Sequence, residues 1–325
     1  MSASAKPRLQ DKSAEIEWAL KDAHIPSLMM ALVHLTGDAS HLTADMKPVY
    51  DFFGDGQGGF SPEKQQKIRE DAKAALLAHL NGKPLPPPPD RDTIRKMMDF
   101  IAGAEIPERY VPFLMEELGI AVEDTRVPHF DTPKLREAAA KMKVVIIGAG
   151  LSGILSAIRL QQAGIPFEII EKNADVGGTW LENTYPGCRV DNPNHMYSFS
   201  FEPNHGWPQY YSTQGVLYEY FRRVADKYGL RKHIRFETSV VEAVFDEAAS
   251  RWNVRVREKN GHEDTISANA VISAVGQLNQ PKLPDIKGRD TFKGPAFHTA
   301  RWRHDVDLAG KRVAVVGTGA TAFQV

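Results

Sequence analysis

Cysteine is almost missing from this 325-residue chain, with Cys188 the single one present. A lone thiol excludes an internal disulfide and a cysteine-based zinc site, and it suits a reducing compartment. An excess of either charge is missing as well. Forty Lys and Arg stand against 41 Asp and Glu for a net charge of −1, so there is no electrostatic case for nucleic acid or an anionic membrane as main partner. No apolar run approaches the ~18–20 residues that span a bilayer. The start Met1-Ser2-Ala3-Ser4-Ala5-Lys6 has no signal-peptide core. The expectation is a soluble, cytoplasmic protein without a metal site. At 42% hydrophobic and 25% charged, the composition is that of an ordinary globular chain with the length of two domains.

Residues 1–132 read as helical and carry no visible chemistry. Ile16, Ala19, Leu20 and Ala23 share a helical face, and Pro26 breaks the chain before Leu28, Met29, Leu32 and Val33 begin another. Ser61 and Pro62 form an N-cap with proline at the first helical position, followed at helical spacing by Ile68, Ala72, Ala75, Leu76 and Leu80, and closed by Asn81-Gly82. The proline run at 84–89 is a stiff extended spacer between helices, preferred here over an SH3-type ligand. Asp92 is the expected cap of a helix with Ile94, Met97, Met98 and Ile101 inward, and residues 107–118 give one more.

At Lys143 the pattern changes. Val144-Val145-Ile146-Ile147 is a short continuous apolar run, the signature of a parallel strand buried on both faces. Gly148-Ala149-Gly150-Leu151-Ser152-Gly153 follows it directly and opens a helix keeping Leu155, Ile158 and Gln162 in register. A GxGxxG alone is weak, but strand, turn and helix in sequence make a dinucleotide-binding unit whose helix N-terminus faces phosphates. Glu171, 23 residues beyond Gly148 at the end of a second strand, is placed to accept from both hydroxyls of an adenosine ribose. An acid there fits FAD or NAD and disfavours a 2′-phosphate. A helix near 216–228, alternating strands near 234–236, 240–245 and 252–256, and a buried strand at 270–275 complete the pattern. A second turn, Gly317-Thr318-Gly319-Ala320-Thr321-Ala322, comes after Val313-Ala314-Val315-Val316, which reads as another buried strand. The fold class is therefore α/β, a Rossmann-like dinucleotide-binding domain preceded by an all-helical N-terminal domain.

From residue 143 to 325 the order of motifs resembles the Baeyer–Villiger monooxygenases. It runs GxGxxG, an acidic strand end, Gly177-Gly178-Thr179-Trp180, then Tyr185-Pro186-Gly187-Cys188-Arg189-Val190-Asp191 and Tyr197-Ser198-Phe199-Ser200-Phe201. FxGxxxHxxxW at Phe292, Gly294, His298 and Trp302 precedes the second turn. The long helical leader and Leu181-Glu182-Asn183-Thr184 are similar to the 4-hydroxyacetophenone monooxygenase branch, where the leader implies dimer stabilisation and a homodimer. The division implied is a helical extension at 1–132, an FAD-binding domain at 140–290, a fingerprint linker at 291–310 and the start of an NADP-binding domain at 311–325.

The resemblance assigns FAD contacts to Gly148, Gly150, Ser152, Gly153, Glu171, Gly178, Thr179, Trp180, Asp191, Tyr197 and, through its backbone, Val240. It assigns NADP contacts to Arg189, Gly317, Thr318, Gly319 and Thr321. Asp191 has a supporting catalytic role, holding an essential arginine expected beyond residue 325; as a residue before Asn192-Pro193 it also suits a turn. Phe292, Gly294, His298 and Trp302 are read as a hinge, with His298 a hydrogen-bonding pivot in preference to a general base. The implied reaction converts a ketone to an ester or lactone with FAD, NADPH and dioxygen through a flavin peroxide. NADPH rests on the resemblance alone. Gly317 lies eight residues before Val325, so the expectation is a fragment, inactive by itself, that lacks most of its NADP domain. Two further readings stay open, a flavin-containing N- or S-oxygenating enzyme and a non-catalytic FAD-binding or dimerising module.

Overall fold

The computed structural model describes residues 12–51, 56–117, 124 and 126–325. The polar start, and the helix end expected at Leu118, lie outside them. The chain forms two compact units, residues 1–124 and 125–325.

The first unit is helical: α1 (Lys12–Leu20), α2 (Ile25–Thr36), α3 (Pro62–Leu80), α4 (Arg91–Ala102) and α5 (Val111–Glu117). Pro26 does not break a helix but sits in the first turn of α2, where its missing N–H leaves no orphan. Its core gathers Leu20, Ile25, Met29, Leu32, Val33, Ile68, Ala72, Met97 and Phe100. Each buried side chain of this size contributes roughly 1.5–3 kcal/mol of apolar transfer. Ile94, Met98 and Val111 form a smaller cluster. The Ser61 hydroxyl caps α3 by accepting from the Lys64 N–H at 3.4 Å, while Leu80 in its last turn is exposed. The cap of α4 is Asp90 and not Asp92. Asp90 has the extended backbone a cap needs, and its Oδ1 accepts from the Thr93 N–H at 2.8 Å. Asp92 lies inside the first turn, where its charge faces the helix N-terminus.

In the second unit α6 (Pro133–Ala140), capped by Thr132, leads into β1 (Val144–Ile147), α7 (Leu151–Gln162) and β2 (Phe167–Ile170). A short α8 (Thr179–Glu182) and a long α9 (Gln214–Lys227) follow, then β3 (Ile234–Arg235). An antiparallel meander of β4 (Thr238–Asp246), β5 (Arg251–Glu258) and β6 (Glu263–Ala268) returns the chain to β7 (Ala270–Ser273). The main sheet has the order β3-β2-β1-β7, and every neighbouring pair in it is parallel. Because side chains alternate along a strand, Val144 and Ile146 face one way and Val145 the other. Val144, Ile146 and Ile169 pack against Ile154, Ala157 and Ile158 of α7 and Leu217, Phe221 and Val224 of α9. Val145 and Ile170 pack against Val254, Val256, Ile266 and Ala268 of the meander. Both faces of β1 and β2 are thus covered, which is why these strands read as unbroken apolar runs. The face of α7 turned inward is Ile154, Ala157 and Ile158; Gln162 is exposed.

Two expected strands differ. β7 is an edge strand, so its side chains are half-buried and not enclosed. Residues 313–316 form no strand, and Val313, Val315 and Val316 are exposed, because no strand of this chain pairs with them among the described residues. No helix among the described residues is long and apolar enough to cross a membrane.

Candidate dinucleotide site

Strand order reverses between β1 and β7, and the crevice beyond the carboxyl ends of strands at such a reversal is where open α/β sheets bind ligands. Gly148 enters it with φ +102°, and a Cβ there would lie 2.7 Å from the Ala274 carbonyl oxygen behind β7. At Gly153 a Cβ would sit 1.9 Å from the Gly148 oxygen, so α7 approaches the turn as closely as backbone allows. Ser152 is exposed in the first turn of α7, beside the N–H groups that the helix leaves unpaired.

The second glycine pair meets the first. A Cβ on Gly178, at φ +52°, would be 2.9 Å from the Gly150 Cα, and the Gly177 N–H donates to the Ala149 oxygen at 3.0 Å. Glu171 is buried beside this crossing. Its Oε2 accepts from the Ala149 N–H at 2.7 Å and its Oε1 from the Asn173 N–H at 2.8 Å. Each carboxylate oxygen keeps a further lone pair, so acceptor capacity toward a ribose remains.

Thr179 opens α8 and is exposed, whereas Trp180 is turned into the core. The Trp180 Nε1–H donates to the Tyr197 hydroxyl at 3.1 Å, and the two rings meet edge to face at 5.6 Å. Behind the glycine pair, Asp175 accepts from the Tyr218 hydroxyl at 2.7 Å, from Arg231 at 2.8 Å and from the Val176 N–H at 2.8 Å. Burial pushes the Asp175 carboxyl up, but these bonds outweigh it and hold it below the usual carboxylate range. Burial, reinforced by the carboxylate, pushes the Tyr218 hydroxyl up to about 12, so it remains a donor. Sequence reading missed this group, since Asp175, Tyr218 and Arg231 are brought together across 43 and 56 residues without a spacing rule.

Asp191 is exposed and has no ion pair among the described residues. Val240 lies in β4 opposite Val256. The second turn is more open than the first: nothing lies within 4 Å of a Cβ on Gly317 or Gly319, and Thr318 is exposed. Gly319 precedes α10 (Ala320–Gln324), which docks on the loop carrying Arg189. Gln324 accepts from the Tyr185 hydroxyl at 2.8 Å and the Arg189 N–H at 3.3 Å, and donates to the Arg189 oxygen at 3.1 Å. The Thr321 hydroxyl lies 3.4 Å from that of Tyr185, and burial raises that phenol to about 12. The Arg189 loop and the second turn are therefore neighbours.

Among the fingerprint residues, Phe292 is exposed and its ring covers Gly294, where a Cβ would be 2.7 Å from Cζ. His298 Nδ1 accepts from the Ala300 N–H at 3.1 Å and caps a turn of 3-10 helix, Thr299–Arg301. Trp302 packs on the core and meets Phe297 edge to face at 5.1 Å. Polar contacts tie the linker to the first turn's neighbourhood: Arg301 to Glu182 at 3.5 Å, and His304 to Thr184 at 2.8 Å.

A family model described as flavin-binding monooxygenase-like matches residues 141–325. An uncharacterized monooxygenase of Sinorhizobium fredii is 36% identical over 313 residues, which are 94% of this chain and 46% of that protein. A Baeyer–Villiger monooxygenase of Streptomyces coelicolor is 47% identical over 185 residues, 57% of this chain and 35% of that one. Among solved structures, OTEMO in complex with FAD and NADP is similar at 39% identity and a TM-score of 0.52, over 57% of this chain and 36% of that chain. Cyclohexanone monooxygenase in its closed form matches at 37% identity and 0.51, over 56% and 35%. The chain spans less than half the length of each of these relatives.

Proposed function

Because the chain belongs to the flavin-binding monooxygenase-like family, as a Baeyer–Villiger-type member, we propose that it binds FAD at the crossing of its glycine turns and forms the flavin-holding part of an NADPH-using ketone monooxygenase. The observation that carries this is the backbone contact of Gly150 with Gly178 at the mouth of the crevice. A side chain at Gly178 would run into the Gly150 backbone, so glycine lets the two turns cross beside the unpaired N–H groups of α7, and the residues present fit the cofactor. Gly148, Gly150, Ser152 and Gly153 would hold the pyrophosphate with the N–H groups of α7, and Glu171 the adenosine ribose. Gly178, Thr179, Asp191 and Tyr197 would line the rest of the flavin, with Trp180 holding Tyr197 in place and Val240 facing the adenine. Bound and reduced FAD supplies the oxygen activation by which a ketone becomes an ester or lactone.

The chain's own part is to orient and enclose. Gly317, Thr318, Gly319 and Thr321 would take the NADPH pyrophosphate, with Arg189 beside them through the Gln324 contacts. His298 serves as a backbone-capping pivot of the linker. Asp191, exposed and unpaired here, would hold the arginine cation of the reaction. The match to the S. fredii protein runs through the helical unit too, which supports pairing such a unit with this fold. A homodimer built on that unit, of the 4-hydroxyacetophenone monooxygenase branch and cytoplasmic, belongs to the same reading.

Absorption spectroscopy of the purified chain, with mass analysis of released ligand, tests the proposal. A flavin spectrum, stoichiometric FAD and its loss in Gly178→Val are expected. A colourless wild-type chain that takes up no FAD in titration would refute it.

A further inference from the structure

Gly177 and Gly178 both hold positive φ, +119° and +52°, in a stretch whose own backbone prefers no single shape. Something outside the pair must fix it. Gly177 meets the Tyr218 ring of α9, with a built Cβ only 2.8 Å from Cδ2. Tyr218 and Arg231 converge on Asp175, whose carboxylate also takes the Val176 N–H, so the chain entering the pair is clamped from behind. The Arg222 Nε lies 3.1 Å from the same carboxylate, but its N–H is not aimed at it, so Arg231 is the hydrogen-bonded cation. Asp175 presents an anion two residues from a turn read as taking pyrophosphate. Arg231, with Arg222 beside it, offsets a charge that would otherwise repel the ligand.

We propose that Asp175, Tyr218 and Arg231 are positioning residues that set FAD affinity without touching FAD, by fixing the Gly177-Gly178 turn and cancelling the charge behind it. This rests on the FAD reading above.

The test is equilibrium titration of FAD into the flavin-stripped full chain, followed by flavin fluorescence, for wild type, Asp175→Asn, Arg231→Met, the double variant and Tyr218→Phe. Asp175→Asn keeps the Val176 contact and loses charge, weakening FAD about tenfold on the scale of one charge-assisted hydrogen bond. Arg231→Met removes the hydrogen-bonded cation, leaves Arg222 alone to offset the carboxylate, and weakens binding by about a further threefold. The double variant binds no worse than Asp175→Asn alone, a non-additivity that general destabilisation does not produce. Tyr218→Phe keeps the ring on Gly177 and costs about threefold; it carries the test if the charged variants do not fold. Unchanged affinity in Tyr218→Phe and Asp175→Asn, or simple additivity in the double variant, overturns the inference while wild type still binds FAD. A wild-type chain that binds none overturns the reading of the site, and the inference with it.

Discussion

Replacing Gly153 by alanine sets two effects of opposite sign against each other. The residue lies in the first turn of α7, where alanine is favoured over glycine by up to about 1 kcal/mol. Against this, its Cβ would be 1.9 Å from the Gly148 oxygen and 2.9 Å from the Gly148 carbonyl carbon. Relief to 3.0 Å requires a shift of about 1.1 Å by backbone, not by a flexible side chain. That backbone is held, because the Gly148 N–H donates to the Ile170 oxygen at 2.8 Å and Gly148 itself abuts Ala274. Overpacking costs typically 1–3 kcal/mol, at the upper end where backbone must move, so the net loss is about 2 kcal/mol. In a unit of about 200 residues this lowers Tm by roughly 4–8 °C. Gly215→Ala is the control: it lies in the first turn of α9 with nothing within 4 Å of a built Cβ, and Tm should hold or rise by a degree or more. Tryptophan fluorescence follows this unit selectively, since Trp180, Trp207, Trp252 and Trp302 belong to it and only Trp18 to the other. A Gly153→Ala protein melting at or above wild type would show that helix and turn are not in limiting contact.

Asp90→Ala should destabilise α4 by about 1 kcal/mol through loss of the cap, and Asp92→Ala by clearly less. Exchange of the Thr93 amide reports it, and equal effects would contradict the cap assignment. Glu182 is pushed up by burial, yet hydrogen bonds from Lys172 and Asn173 outweigh that and hold it below its ordinary value. Its folded state therefore favours the anion, so the contribution is present above the unfolded value near pH ~4.3 and disappears as pH falls through the lower folded one. Urea midpoints measured downward from about pH 5 should decline less in Glu182→Gln than in wild type; matching slopes would count against the linkage.

Local signals carried the sheet and the first turn. Val144 to Ile147 announce a doubly covered strand because β1 is packed by helices on one side and the meander on the other. The glycines announce the turn because contacts of 1.9 and 2.7 Å admit no side chain. Pattern failed where a neighbour decides. Val313 to Val316 have the composition of a strand but no ladder partner here, and β6 was not anticipated because Glu263 to Ala268 alternate only weakly while pairing β5. Asp90 stands directly after the proline run, and its extended backbone and its bond to the Thr93 N–H, not its sequence context, mark it as the cap. The Asp175 clamp and the Gln324 contacts join residues up to 139 positions apart, and nothing in their spacing marks them.

The wall against Gly148 has a history in the making of the chain. β1 is flanked on one side by β2, some twenty residues later, but Gly148 abuts Ala274, and Lys143 is tied to Asn269 across 126 residues. At ribosomal rates of about 5–20 residues per second, roughly 6–25 s separate synthesis of the turn from synthesis of its wall. During that interval the nascent protein has its glycine turn without the edge strand that closes it. Assembly of the crevice therefore waits on the meander and on β7, whose pairing with β1 spans the largest sequence separation in the main sheet.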